Sequence, residues 1–149
     1  MAGHLKLTAR GKGAVTIMAE IAQQGRNRPV SLADVAANIG LSMSYLETLC
    51  VDLRRGRLIT SFRGSRGGYK LTKPAAEISI LDIALLAQDW PGAGNNDDGS
   101  SGNPQVQDLW DEIEKYQYLF LQQISLADVI NGDLKGYSFL KRIREKLGD

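Results

Sequence analysis

Residues 41–72 read "LSMSYLETLCVDLRRGRLITSFRGSRGGYKLT", and the fold turns on this stretch. Leu46, Leu49, Cys50 and Leu53 recur at i, i+3, i+4 and i+7, the spacing of one buried helix face. Ser42 stands where a capping hydroxyl belongs, and Gly56 closes the pattern. "LITSF" and "YKLT" then flank Gly64, Gly67 and Gly68. That predicts two strands around a tight hairpin turn whose glycines take positive φ. Arg63 and Arg66 fall on the tip. The tip offers no catalytic acid, base or nucleophile, but its two fixed positive charges suit phosphate or a DNA groove.

Outward from this stretch, "GKGAVTIMAEIAQQG" at 11–25 places Val15, Ile17, Met18, Ile21 and Ala22 at helical spacing, with Gly25 as the stop. A second helix follows Ser31, its expected N-cap, with Asp34 in the capping-box place. Leu32, Val35, Ala36 and Ile39 form its stripe, and Gly40 ends it. Helix, helix–turn–helix and hairpin follow one another in winged-helix order. Ser79 is placed to cap a further short helix.

Residues 91–104, "PGAGNNDDGSSGNP", contain no large apolar side chain. They cannot bury enough surface to offset their ordering entropy, so a mobile loop is expected. From Gln105 a long stripe runs through Val106, Leu109, Trp110, Ile113, Tyr116, Phe120 and Ile124. It predicts a helix of about 18–20 residues, about 30 Å long. Such a helix buries its stripe on its own core or against a second copy. "GYSFLKRIREKLGD" reads as a short basic amphipathic tail. The fold class expected is mainly α with a small β-hairpin wing. Residues 1–75 are the winged helix–turn–helix, 76–104 the connecting helix and loop, and 105–149 the long helix and tail.

The 149 residues are 43% hydrophobic and 23% charged, the balance of an ordinary globular domain. No apolar run is long enough to span a membrane, and the N-terminus lacks a signal-like apolar region. With one cysteine, the chain is expected to be cytoplasmic and free of internal disulfides. The net charge of +1 hides an asymmetry. Residues 1–75 carry 12 Lys/Arg against 4 Asp/Glu, and residues 76–149 carry 6 against 13. A basic first half is the electrostatic footprint expected of a nucleic-acid binder.

Enzymatic chemistry finds no support. The one histidine is His4, and no C-x-x-C, Walker loop or dinucleotide fingerprint occurs. Asp97 and Asp98, with Asn95 and Asn96, lack the spacing of a calcium loop. Cys50 lies on the buried stripe of the third helix, the place of a structural thiol.

"LTARGKGAV" (7–15), "LADVAANIGLSMSYLETL" (32–49), "LRRGRLITSFRGSRGGYKL" (53–71) and the Trp110 helix leading to "ISLADVIN" (124–131) resemble the bacterial winged-helix regulators of the IscR, NsrR and CymR type. The resemblance covers nearly the whole chain. It implies a homodimer that represses or activates promoters, joined by the long helix through Trp110, Ile113, Tyr116 and Phe120. It assigns Ser42, Ser44, Tyr45 and Glu47 to the major groove, where a Glu can accept from a cytosine amino group. Arg63 would enter the minor groove, with Arg66 beside it and Gly67 and Gly68 letting the wing come close. Lys6, Thr8 and Arg54 match places that meet phosphate.

One departure stands out. The sensing members carry three cysteines before the long helix, and often a histidine just after. Here the histidine place is Gln107, and the cysteine places are Pro104, Asp98 and Gly92. The carboxylate some relatives offer from the first helix corresponds to Lys12. No metal ligand set and no ordinary iron–sulfur site is therefore expected, and DNA binding should be indifferent to oxygen and nitric oxide. Two alternatives stay open beside a cluster-free repressor. One is an atypical few-cysteine iron–sulfur or redox sensor. The other is a regulator controlled, as CymR-type members are, by a protein partner, here docking on the acidic C-terminal half.

Overall fold

Helix after helix in this chain begins on a hydroxyl. The computed structural model describes residues 8–25, 27–87, 102–134, 141–142, 144–146 and 148. In it Thr8 caps α1 (Ala9–Gln24), accepting from the Gly11 amide at 3.1 Å. Ser31 caps α2 (Leu32–Ile39) through the Asp34 amide at 3.1 Å. Ser42 caps α3 (Met43–Arg55) through the Tyr45 amide at 3.3 Å. Ser79 caps α4 (Ile80–Leu86) through the Asp82 amide at 3.0 Å. Each such bond satisfies an amide that the helix itself cannot. The complete reciprocal box forms at α6 (Leu126–Ile130), between Ser125 and Asp128.

The buried faces meet in one core. Ala14, Ile17, Met18 and Ile21 of α1 pack with Val35 of α2 and with Leu46, Leu49, Cys50 and Leu53 of α3. Ile78, Ile80 and Ile83 from the α4 region, and Ile124 and Leu126 from the start of α6, join the same cluster. The chain beyond residue 75 thus helps to build the core under the helix–turn–helix. Ser79 and Ser125 pair as an isolated bridge, with the Ile80 amide on the Ile124 carbonyl and the Leu126 amide on the Ile78 carbonyl, both at 2.8 Å. The ion pair of Arg10 with Asp52 links α1 to α3, and Asn38 of α2 donates to Glu20 of α1 at 3.1 Å.

The hairpin pairs β1 (Ile59–Phe62) with β2 (Gly68–Leu71), in register from Ile59 opposite Leu71 to Phe62 opposite Gly68. The connection is not the tight turn expected. Five residues, Arg63 to Gly67, close it, and the Gly67 amide donates to the Gly64 carbonyl at 2.9 Å. Gly64 (φ 107°) and Gly68 (φ 150°) take positive φ as expected, whereas Gly67 does not. Val30 adds a third backbone segment: it exchanges bonds of 2.9 and 2.8 Å with Tyr69, fastening the wing to the entrance of α2.

α5 (Pro104–Gln122) has the expected length, 19 residues. Asn103 caps it through the Gln105 and Val106 amides. Ile124 does not extend its stripe: the helix ends at Gln122, and Ile124 turns into the core at 5% exposure. Tyr118 and Leu121 pack on Leu81 and Ala84 of α4, and no α5 residue is fully buried. Residues 141, 142 and 144–146 of the basic tail are helical. The expectations for His4, Lys6 and most of the loop, with Gly92, Asn95, Asn96, Asp97 and Asp98, lie outside the described residues.

Candidate nucleic-acid interface

α3 divides cleanly by face. Leu46, Leu49, Cys50 and Leu53 are inside, while Ser42, Met43, Ser44, Glu47 and Thr48 are exposed. The exposed set occupies the first turns, the part of a recognition helix that meets base edges. Thr48 donates its hydroxyl to the Ser44 carbonyl at 2.9 Å, so that side chain is committed to its own helix. Tyr45 is half-buried against the core. A Cβ on Gly13 would sit 3.1 Å from Leu49 Cδ1 and 3.6 Å from the Tyr45 hydroxyl, so the bare glycine lets α1 close onto α3. Among the described residues, Glu47 has no ion-pair partner.

Glu47 also colours its surroundings electrostatically. The Cys50 thiol is pushed up to about 11, first by burial and then by the Glu47 charge. The Tyr69 hydroxyl is raised by burial, then by Cys50; Arg54 works against this and Glu47 adds to it. At neutral pH Cys50 is therefore a protonated core thiol, whereas the nucleophilic and metal-binding form of cysteine is the thiolate.

The wing presents Arg63 and Arg66, both exposed, at its tip. Gly67 and Gly68 serve the hairpin itself. A Cβ on Gly67 would lie 2.3 Å from the Phe62 carbonyl oxygen, and one on Gly68 would lie 2.3 Å from the Val30 carbonyl oxygen. Both glycines are required by close backbone approach within the protein, whatever else approaches them. Gly68→Ala should cost more than about 1 kcal/mol, read as a lower urea midpoint with an unchanged slope. An unshifted midpoint would show that the Val30–Tyr69 bridge is not holding the wing.

Of the residues assigned to phosphate, Thr8 is the cap of α1 and half-buried, Arg54 is exposed in the last turn of α3 beside Arg55, and Lys6 lies outside the described residues. Ser42, Ser44, Glu47, Arg54, Arg63 and Arg66 are all exposed on α3 and the wing. Two features that hold this arrangement escaped the sequence reading. They are the Val30 bridge and the Arg10–Asp52 pair, each joining residues far apart in the chain with no local signature.

The donor set does not fit an iron–sulfur cluster, which is held mainly by Cys thiolates. Cys50 is the one cysteine in 149 residues, and it is buried. Among the described residues no group of three or more His, Cys, Asp and Glu could hold a metal ion. Pro104 opens α5, and Gln107 donates to Asp111 at 2.8 Å. The places of the last thiolate and the histidine are taken up in building a helix.

A family model described as "Rrf2: Iron-dependent Transcriptional regulator" matches residues 7–132. The chain belongs to the Rrf2 family. Among similar Rrf2-type sequences is the HTH-type transcriptional regulator IscR of Cereibacter sphaeroides, 33% identical over 140 residues, covering 88% of this chain and 90% of that protein. The IscR of Serratia proteamaculans is 34% identical over 131 residues, covering 85% and 80%. Two solved structures share the architecture. CymR, the global cysteine regulator of B. subtilis, superposes with a TM-score of 0.70 at 31% identity, over 85% of this chain and 97% of that one. T. potens IscR does so at 0.71 and 29%, over 91% and 96%. This Rrf2 member is thus a transcriptional regulator of the IscR and CymR type, not an enzyme, and its family implies DNA binding. Among the described residues no helix is long and apolar enough to cross a membrane.

Proposed function

We propose that the chain is a homodimeric, sequence-specific DNA-binding repressor of the cytoplasm that works without an ordinary iron–sulfur cluster. The observation that carries the reading is the joint exposure of Ser44 and Glu47 on the first turns of α3 and of Arg63 and Arg66 on the wing tip. The helix offers groups that discriminate base edges in a major groove. The wing offers cations for the narrow groove beside it, where negative potential is concentrated. The excess of basic residues before residue 76 draws this side of the protein to phosphate.

Dimerisation is supported by α5. Leu109, Trp110, Ile113, Tyr116 and Phe120 are 38–58% exposed along one side of it, while Tyr118 and Leu121 anchor the other side on α4. A contiguous apolar face of this kind on a single protomer marks an interface, and a two-fold pair of long helices would cover it.

A gel-shift titration on a duplex recovered by binding-site selection tests the function. Affinity should exceed that for a scrambled duplex by about 10³-fold or more and fall linearly in log–log form with salt. Equal affinity for both duplexes would reject sequence-specific regulation. Protein purified without oxygen should be colourless, and its DNA binding should not respond to oxygen or nitric oxide. A brown preparation with near-stoichiometric iron and sulfide, bleached in Cys50→Ala, would instead establish an atypical cluster.

A further inference from the structure

Arg57, between α3 and β1, has left-handed backbone at φ +60°. Its setting is a helix stop. The Leu58 amide donates to the Leu53 carbonyl and the Arg57 amide to the Arg54 carbonyl, both at 3.0 Å. In this paired pattern the left-handed residue is ordinarily glycine. Here the glycine stands one place earlier and is held there by packing, since a Cβ on Gly56 would lie 2.2 Å from Leu86 Cδ1. A long side chain therefore occupies the position where a Cβ crowds the backbone.

The wing fixes this conformation. The Thr72 hydroxyl donates to the Arg57 carbonyl at 2.6 Å, and the Thr72 amide donates to the Leu58 carbonyl at 3.1 Å. The Arg57 side chain is exposed, and among the described residues its guanidinium has no hydrogen-bond or ion-pair partner. Backbone outliers persist where the surroundings over-determine them, and they gather at functional sites. A purely helix-terminal role for the charge is already filled by Arg54 and Arg55 in the last turn of α3, which need no unusual backbone.

We propose that Arg57 is a DNA-phosphate anchor, held out at the junction of recognition helix and wing by its left-handed backbone. It pins that junction to one strand of the duplex, so that α3 and the wing enter their grooves at a fixed spacing. The proposal rests on the DNA-binding reading above.

Two variants test the anchor, with strain read from the thermal midpoint and charge from DNA affinity and its salt slope. Arg57→Gly removes both, and Arg57→Lys keeps both while losing the planar fork. The probe is a duplex selected by the parent protein. Without DNA, Arg57→Gly should raise the thermal midpoint by about 2–4 °C. Its affinity at about 0.15 M salt should nonetheless fall about fivefold per protomer, and the log–log salt slope should shrink by about 1 per protomer. Arg57→Lys should keep the parental slope. A glycine variant that binds with parental affinity and slope would overturn the anchor, and a lowered midpoint with unchanged binding would assign Arg57 to the helix end instead. If the parent selects no duplex at all, the DNA-binding reading fails and the anchor with it. Parental selection with an indifferent glycine variant rejects the anchor alone.

Discussion

Ile113→Glu combined with Phe120→Glu should turn the protein into a monomer and weaken its grip on a two-half-site duplex by about 10²–10⁴-fold. The two side chains lie on the exposed apolar side of α5, at 44% and 38% exposure. In the protomer alone the carboxylates would remain in water. Across a two-fold helix pair they would be buried without partners, at a cost of several kcal/mol. Losing the second protomer removes the effective concentration that makes two half-sites bind as one, and that factor sets the size of the loss. Because no α5 residue is fully buried within the protomer, the helical circular dichroism should be kept. Light scattering gives the mass, and a titration on the selected duplex gives the affinity. A double variant that remains dimeric would remove α5 from the interface.

Arg63→Ala should weaken binding by about 1–3 kcal/mol for each wing engaged. Arg63 is exposed on the five-residue loop and supports no core contact, so its loss should leave stability unchanged. The effect should be greatest on duplexes with A/T-rich steps at the wing positions, where the narrow minor groove concentrates negative potential. Titrations on two duplexes differing only at those steps measure it. Parental affinity on both would take the wing tip out of the contact.

How far these features could be read from the sequence depended on how local their causes were. Ser31, Ser42 and Ser79 announce helix starts because a cap and its amide are three residues apart. The α3 stripe is legible because Leu46, Leu49, Cys50 and Leu53 all face one way on one helix. Ile124 was misassigned for a related reason: it follows Phe120 at helical spacing, and periodicity does not reveal that the backbone leaves the helix at Gln122. The glycines of the wing signalled a turn, but not its length or which of them would take positive φ. That is set by the register of β1 on β2 and by Val30 approaching Gly68, a contact between residues far apart in sequence. Gly56 does cap α3, as its place after Arg55 indicates, but the left-handed residue falls one position later at Arg57, because Leu86 packs against Gly56. The missing thiolates were plain from the cysteine count. The charges of the candidate interface were plain too, but their exposure on α3 and the wing depended on the tertiary fold.

The central claim is that α3 reads base sequence, and binding-site selection with the parent and with Glu47→Ala tests it most directly. Glu47 is exposed on the first turns of α3, and its carboxylate would be repelled by phosphate, so its useful partner is a base-edge donor such as a cytosine amino group. The parent should recover a two-fold-related pair of half-sites. Glu47→Ala should recover the same pair with discrimination lost at one base pair in each half, worth about 1–3 kcal/mol, while non-specific affinity stays level or rises. Selected pools with identical preferences at every position would contradict the claim.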